Sequence, residues 1–126
     1  MDKLILKPTK TLPFICLDPV AKKYEISGQS FPEDPNEAFD PIFEWMENNL
    51  DKLDHKMELE LQADYFNSAS NRLLLKLFRI LEKHAGAGKQ IEIHWSFEEE
   101  EIENDGIIFS RLVNLPFRFI YRKAKN

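Results

Sequence analysis

Cysteine occurs once in 126 residues, at Cys16, which excludes an internal disulfide and a cysteine-rich zinc site. The scarcity of cysteine fits a reducing compartment, and a cytoplasmic protein is expected. Glycine is nearly as rare, with four residues. The one glycine-rich stretch, Gly86-Ala87-Gly88, follows a helical pattern where a phosphate-binding loop would precede one. No stretch approaches the ~20 consecutive apolar residues of a membrane span, and the opening MDKLILKPTK lacks the apolar run of a signal peptide. Nor is there a basic excess. Seventeen Lys and Arg against 22 Asp and Glu leave a net charge of −5, which argues against nucleic-acid binding.

What remains is an ordinary globular composition, 43% hydrophobic and 31% charged, in a chain sized for one domain over residues 1–126. Phe14–Leu17 and Lys23–Ser27 flank a turn at Asp18-Pro19 and predict an antiparallel hairpin, with Gly28 breaking its second strand. Two Asp-Pro pairs, Asp34-Pro35 and Asp40-Pro41, each offer an N-cap followed by proline. A helix is expected after them to about Leu53, with Phe39, Ile42, Phe43, Met46, Leu50 and Leu53 on one stripe.

Three later segments alternate apolar and polar residues. They are Met57–Asp64, Ile91–Phe97 and, less cleanly, Phe117–Arg122. Each predicts one dry and one wet face, so helices should cover only one side of the sheet. A leucine-rich helix links the first two segments. A third helix follows Phe97, with a possible break at Asp105-Gly106. The expected architecture is a two-layer α/β domain of order ββαβαβαβ, with a mixed five-stranded sheet. The acidic run Glu98–Glu101 and the basic residues Arg122, Lys123 and Lys125 read as solvated surface.

The joint after Phe66 is built from Asn67, Ser68, Ala69 and Ser70. At about 100° per residue, Ser70 falls in the same arc as Leu73, Leu74, Leu77, Phe78 and Leu81, facing the core. Ser68 projects to the opposite side with Arg72, Lys76, Arg79 and Lys83, a cationic row beginning at a helix N-terminus that favours an anion. One reading is a phosphorylation site at Ser68. The other is that Asn67 or Ser68 caps the helix and the cations are its wet face.

At these residues the chain resembles a known family. GQSFPEDPNEAF (Gly28–Phe39), DYFNSASNRLLLKLFRILE (Asp64–Glu82), IHWSFEEEEIENDG (Ile93–Gly106) and LPFRFI (Leu115–Ile120) are similar to segments of the SiaC family of bacterial regulatory phosphoproteins. The element order also resembles STAS-type anti-sigma-factor antagonists. The resemblance implies a non-catalytic switch protein in a partner-switching system, with no cofactor. A serine/threonine kinase would modify one hydroxyl, a PP2C-type phosphatase would restore it, and the unmodified form would bind an effector, a diguanylate cyclase in one branch. Tyr65, Phe66, Asn67, Ser68, Ala69 and Ser70 match the family's switch pattern in order, with serine where that branch has threonine. The resemblance thus places phosphorylation at Ser68 and partner binding on Tyr65, Phe66, Asn67, Ser68, Ala69, Asn71, Arg72 and Lys76.

Other candidates are fewer. Trp45 lies off its helix's apolar stripe and is either an exposed partner-binding anchor or packed on a neighbouring helix; Phe66, on the polar side of its strand, is a similar case. His55, His84 and His94 show no spacing for joint metal ligation, and Cys16 in Phe14-Ile15-Cys16-Leu17 reads as an inert core thiol. Two competing functions stay open: a constitutive structural subunit in which Ser68 is only a cap, and a small enzyme using acidic residues such as Glu58, Glu60 and Glu92 near the sheet edge.

Overall fold

A computed structural model describes residues 2–123. Six strands form one sheet in sequential order: β1 (Leu4–Leu6), β2 (Phe14–Asp18), β3 (Lys23–Ser30), β4 (Met57–Phe66), β5 (Ile91–Phe97) and β6 (Phe117–Tyr121). The first two pairings are antiparallel and the remaining three parallel. The sheet therefore has one strand more than the five expected. The additional strand, β1, has three residues between Lys3 and Lys7, too few to show alternation, and pairs Leu4 with Leu17 and Leu6 with Ile15.

Three helices connect the parallel strands: α1 (Asn36–Asn49, continued by a 3-10 turn over Leu50–Lys52), α2 (Ser68–Gly86) and α3 (Glu100–Leu112). Each crossover advances the sheet in the same direction. Right-handed crossovers that never reverse place every helix on the same face, and they leave no switch-point crevice of the kind that binds ligands in doubly wound sheets. The core is accordingly a single layer. Ile26, Leu59, Leu61 and Ile93 from the strands meet Phe39, Ile42, Met46, Leu74, Leu77, Phe78 and Leu81 from the helices.

Several local expectations are corrected. Gly28 does not end β3; it takes a φ of +103° inside the strand, at a shift in the β3–β4 register. Asp34 starts α1 by accepting a hydrogen bond from the Asn36 amide, whereas Asp40-Pro41 starts nothing. Pro41 lies within α1, because burying Phe39, Ile42 and Phe43 together requires one continuous helix through it. Asp105-Gly106 does not break α3, since Gly106 is the point where the helix backbone rests on the Trp95 ring.

The face without helices is not uniformly wet. Cys16, His94 and Ser96 lie on it yet are buried, sheltered by longer side chains on adjoining strands. Cys16 is therefore outside the main core, and burial pushes its thiol pKa up, keeping it protonated. Arg122 is not simply solvated either, as its guanidinium lies 3.5 Å from Asp64 and 3.6 Å from Glu98. Lys125 lies outside the described residues.

Candidate functional site

The joint between β4 and α2 is shaped by a one-residue irregularity in the sheet. Gly28 pairs with Ala63 and the next residue, Gln29, pairs with Tyr65, so Asp64 is an extra residue on β4. An extra residue inverts the side-chain alternation beyond it. Up to Ala63 the odd-numbered residues of β4 are buried, but at its end Phe66 is buried and Tyr65 is 53% exposed. Phe66 is thereby removed from the partner-facing set. Its ring belongs to the core, and the sequence period alone could not reveal the inversion.

Past Phe66 the chain turns into α2 through a short hydrogen-bond network. The Asn67 amide donates to the Ser30 carbonyl at 3.0 Å, and the Asn67 side chain accepts from the Ser70 amide at 2.9 Å, which makes Asn67 the N-cap. Ser70 is fully buried. Its hydroxyl donates to the Ser30 carbonyl and lies 2.7 Å from the Ser30 hydroxyl, also fully buried. A small hydroxyl residue is needed at position 70 because a helix start is pressed against the end of β3, and every polar atom there requires a partner.

Ser68 has none of these duties. It is the first residue of α2, it is exposed, and among the described residues its hydroxyl makes no hydrogen bond. The cap is Asn67, one of the two residues offered for that role, so capping is no duty of Ser68. Ser68 and Ala69 occupy the first helical positions, where backbone N–H groups lack intrahelical acceptors and the helix dipole is positive.

Around this hydroxyl stand Tyr65, whose ring lies 5.9 Å from that of Phe31, and half-buried Asn71, whose amide reaches toward the Phe66 carbonyl at 3.5 Å. Arg72, one turn from Ser68, is exposed. Lys76 is exposed and sits 4.7 Å above the Phe43 ring, while Arg79 leans toward Glu82 at 3.9 Å. The fold therefore gathers Tyr65, Asn67, Ser68, Ala69, Asn71 and Arg72 at the joint, with Lys76 two turns further along α2. Trp45 is not among them. It is buried, packs on Tyr24, and donates from its indole to the Asp2 carbonyl at 2.9 Å, so it anchors the N-terminal segment and offers no surface to a partner. Sequence reasoning missed Ser30 and Phe31, both brought to the joint from distant positions; nothing in the local period points to them.

On the helix-free face, Glu58, Glu92 and His94 bring three donor atoms within 4.8 Å of one another. Histidine spacing alone could not anticipate this, since two of the three are carboxylates. Lys56 already supplies a counter-charge, 3.2 Å from Glu92 and 4.0 Å from Glu58. Hydrogen bonds from His94 and then Lys56 hold the Glu92 carboxyl below its usual range, the opposite of what a general acid requires.

A mixed sheet covered by helices on one face defines a small two-layer α/β domain, without the crevice of a doubly wound domain. More particularly, the chain belongs to the SiaC family: residues 6–122 match the SiaC family regulatory phosphoprotein. A protein of Pseudomonas aeruginosa (strain UCBPP-PA14), described as uncharacterized, is 26% identical over 98 residues, 78% of each chain. The crystal structure of apo-SiaC from Pseudomonas aeruginosa is similar at a TM-score of 0.87 and 24% identity, over 95% of this chain and 99% of that one. The SiaC chain crystallised in complex with the diguanylate cyclase SiaD, whose activator it is, matches at a TM-score of 0.87 and 24% identity, over 94% and 99% of the two chains. At that identity the solved structures establish the fold. No helix among the described residues is long and apolar enough to cross a membrane.

Proposed function

We propose that this chain is a non-catalytic switch protein that binds and regulates an effector while Ser68 is unmodified and releases it when Ser68 is phosphorylated. The observation that carries this reading is the division of labour at the joint: Ser70 is buried and hydrogen-bonded, whereas Ser68 is exposed with its hydroxyl unengaged among the described residues. By relation to the SiaC that activates SiaD, the effector is a diguanylate cyclase, which this chain would activate. A serine/threonine kinase adds the phosphate and a PP2C-type phosphatase removes it, all within the cytoplasm and without nucleic acid or membrane.

The physical basis is charge and hydration. Phosphorylation adds about −1.5 to −2 charges and three acceptor oxygens to a surface that otherwise presents a small hydroxyl. Arg72, one turn along, would pair with the new dianion. A partner packed over bare Ser68 would instead meet a bulky hydrated group that it must desolvate. The fold itself need not change, because the network that sets the joint runs through Asn67, Ser30 and Ser70.

The test is a binding titration against the cyclase from the same cells, with Ser68→Asp and Ser68→Ala. The aspartate variant should bind at least tenfold more weakly and the alanine variant within about twofold, since every 1.4 kcal/mol is tenfold. Equal affinities would refute release by charge. Intact mass of the chain purified from its native cells, before and after phosphatase treatment, should differ by one phosphate that maps to Ser68.

A further inference from the structure

The two edges of the sheet differ in how they are protected. β1 is three residues long and flanked by Lys3 and Lys7, which discourages strand pairing. β6 is five residues long, and its only charge within the strand, Arg118, points to the helix-free face together with His94. Its hydrogen-bonding direction follows from its pairing with β5. The Pro116 carbonyl accepts from the Ile93 amide, and the Arg122 amide donates to the Phe97 carbonyl, so the even-numbered residues of β6 bond inward. Phe117, Phe119 and Tyr121 therefore turn their N–H and C=O groups outward from the sheet.

The same three side chains lie on the helix-covered face, in register with Ile93, Trp95 and Phe97. Beside them α3 exposes Ile108 and Leu112. Of the eight large hydrophobic residues exposed among the described residues, Ile108, Leu112, Phe119 and Tyr121 thus gather on the helix-covered side of this edge, and a fifth, Ile120, lies on the other face of the same strand. The apolar layer between sheet and helix is left unclosed there.

We propose that β6 pairs antiparallel with β6 of a second copy of this chain about a two-fold axis through Phe119, joining the two sheets edge to edge. In that register Phe119 faces its own mate and Phe117 faces Tyr121. The outward backbone groups of all three residues then pair reciprocally, as an isologous contact demands. The axis also suits α3. Gly106 and Phe109 contact Trp95, which is level with Phe119, so the axis passes α3 near Ile108. It thereby sets the acidic Glu101–Asp105 end of one helix alongside the Arg111 end of the other. At their exposures the five apolar side chains present roughly 500 Å² per copy, taking ~200 Å² for a large side chain. Fully covered in a pair of copies, these side chains would contribute at most about 1,000 Å², close to the threshold for a specific interface, and the backbone edge adds to it.

The test uses the full chain and two measurements. Sedimentation equilibrium from about 1 to 100 µM, a range that brackets micromolar affinity, should show the 14.9 kDa chain reaching twice that mass. The double variant Ile108→Lys, Tyr121→Lys, altered at two exposed positions, should stay monomeric with an unchanged far-UV spectrum. Independently, Phe119→Cys places an exposed thiol on the axis while native Cys16 stays buried, and a hydrogen-bonded antiparallel pair has the ~5.5 Å Cα separation a disulfide accepts. Oxidation should link two copies through residue 119, and Lys7→Cys, an exposed position beside the opposite edge strand that is not paired with Cys16, should give no such product. A wild-type chain that sediments as a monomer throughout, or crosslinks that form equally from both edges, would overturn the proposal.

Discussion

Replacing Gly106 by alanine should destabilise this protein, although the general rule for a glycine inside a helix predicts the reverse. Alanine gains about 1 kcal/mol over glycine from helix propensity. At Gly106, however, the new methyl would lie 2.5 Å from Cδ1 and from Nε1 and 2.7 Å from Cε2 of Trp95. Carbon contacts settle at about 3.5–4.0 Å, so either the ring or the helix must retreat by roughly 1 Å. The ring is poorly placed to yield, since it is buried against Phe109 and its indole N–H donates to the Ile102 carbonyl at 2.8 Å. Overpacking of this kind costs about 1–3 kcal/mol, and a buried indole N–H left without its acceptor about 1–3 more. Set against the propensity gain, the net loss is about 3 kcal/mol, a fall in Tm of roughly 9–15 °C for a chain of this size. Thermal melts followed by far-UV circular dichroism would measure it, with Asn104→Ala at an exposed position of the same helix as the reference. The near-UV tryptophan band should also change, because the indole environment is disturbed. A Gly106→Ala protein that melts at or above the wild-type temperature would refute the packing argument.

Two further stability predictions come from buried hydroxyls. Ser70→Ala leaves the Ser30 hydroxyl without its partner and should cost about 1–3 kcal/mol by urea titration, while the double Ser30→Ala, Ser70→Ala variant should cost less than the sum of the single losses. Additive losses would show that the two hydroxyls are not coupled. At the other end of the molecule, burial and then the charges of Asp18 and Asp54 push the Tyr24 phenol up to about 12. The Asp54 carboxylate can only accept from Nδ1–H of His55, so neutral His55 accepts the Tyr24 proton at Nε2 across 2.6 Å. A phenol whose folded pKa exceeds its unfolded value of ~10 gives stability that is present below pH ~10 and lost as pH rises toward 12. About 2–3 kcal/mol should disappear over that window. Tyr24→Phe should flatten this alkaline decline, and an equally steep decline in the variant would contradict the assignment.

Much of the fold was legible because period and burial coincide wherever packing is regular. The alternation of Met57–Ala63 and the stripe on α2 each describe one buried face of one element, and the exposure of Ser68 against Ser70 followed from the same geometry. The errors fall where a second element intervenes. Phe66 was assigned to the wrong face because the extra residue Asp64 is defined only by pairing with β3. Gly106 looked like a break because its reason for being glycine, the Trp95 ring, comes from another strand. Trp45 lies off the apolar stripe of α1, yet Tyr24 and the Asp2 carbonyl enclose it, contacts more than twenty positions away in sequence. The partnership of Ser30 with Ser70 spans 40 residues and leaves no local trace.

The displaced register at Asp64 acts as a phase setting for the residues that follow it. Removing one residue there would carry Tyr65 inward and swing Phe66 toward solvent, and the helix would have to begin from a rotated strand end. Which of two chemically equivalent serines faces solvent is thus tied to a count of residues in a strand as well as to the serines themselves. A threonine would be tolerated at position 68, where its methyl group meets water, but at position 70 the same methyl would have to be forced into a closed space.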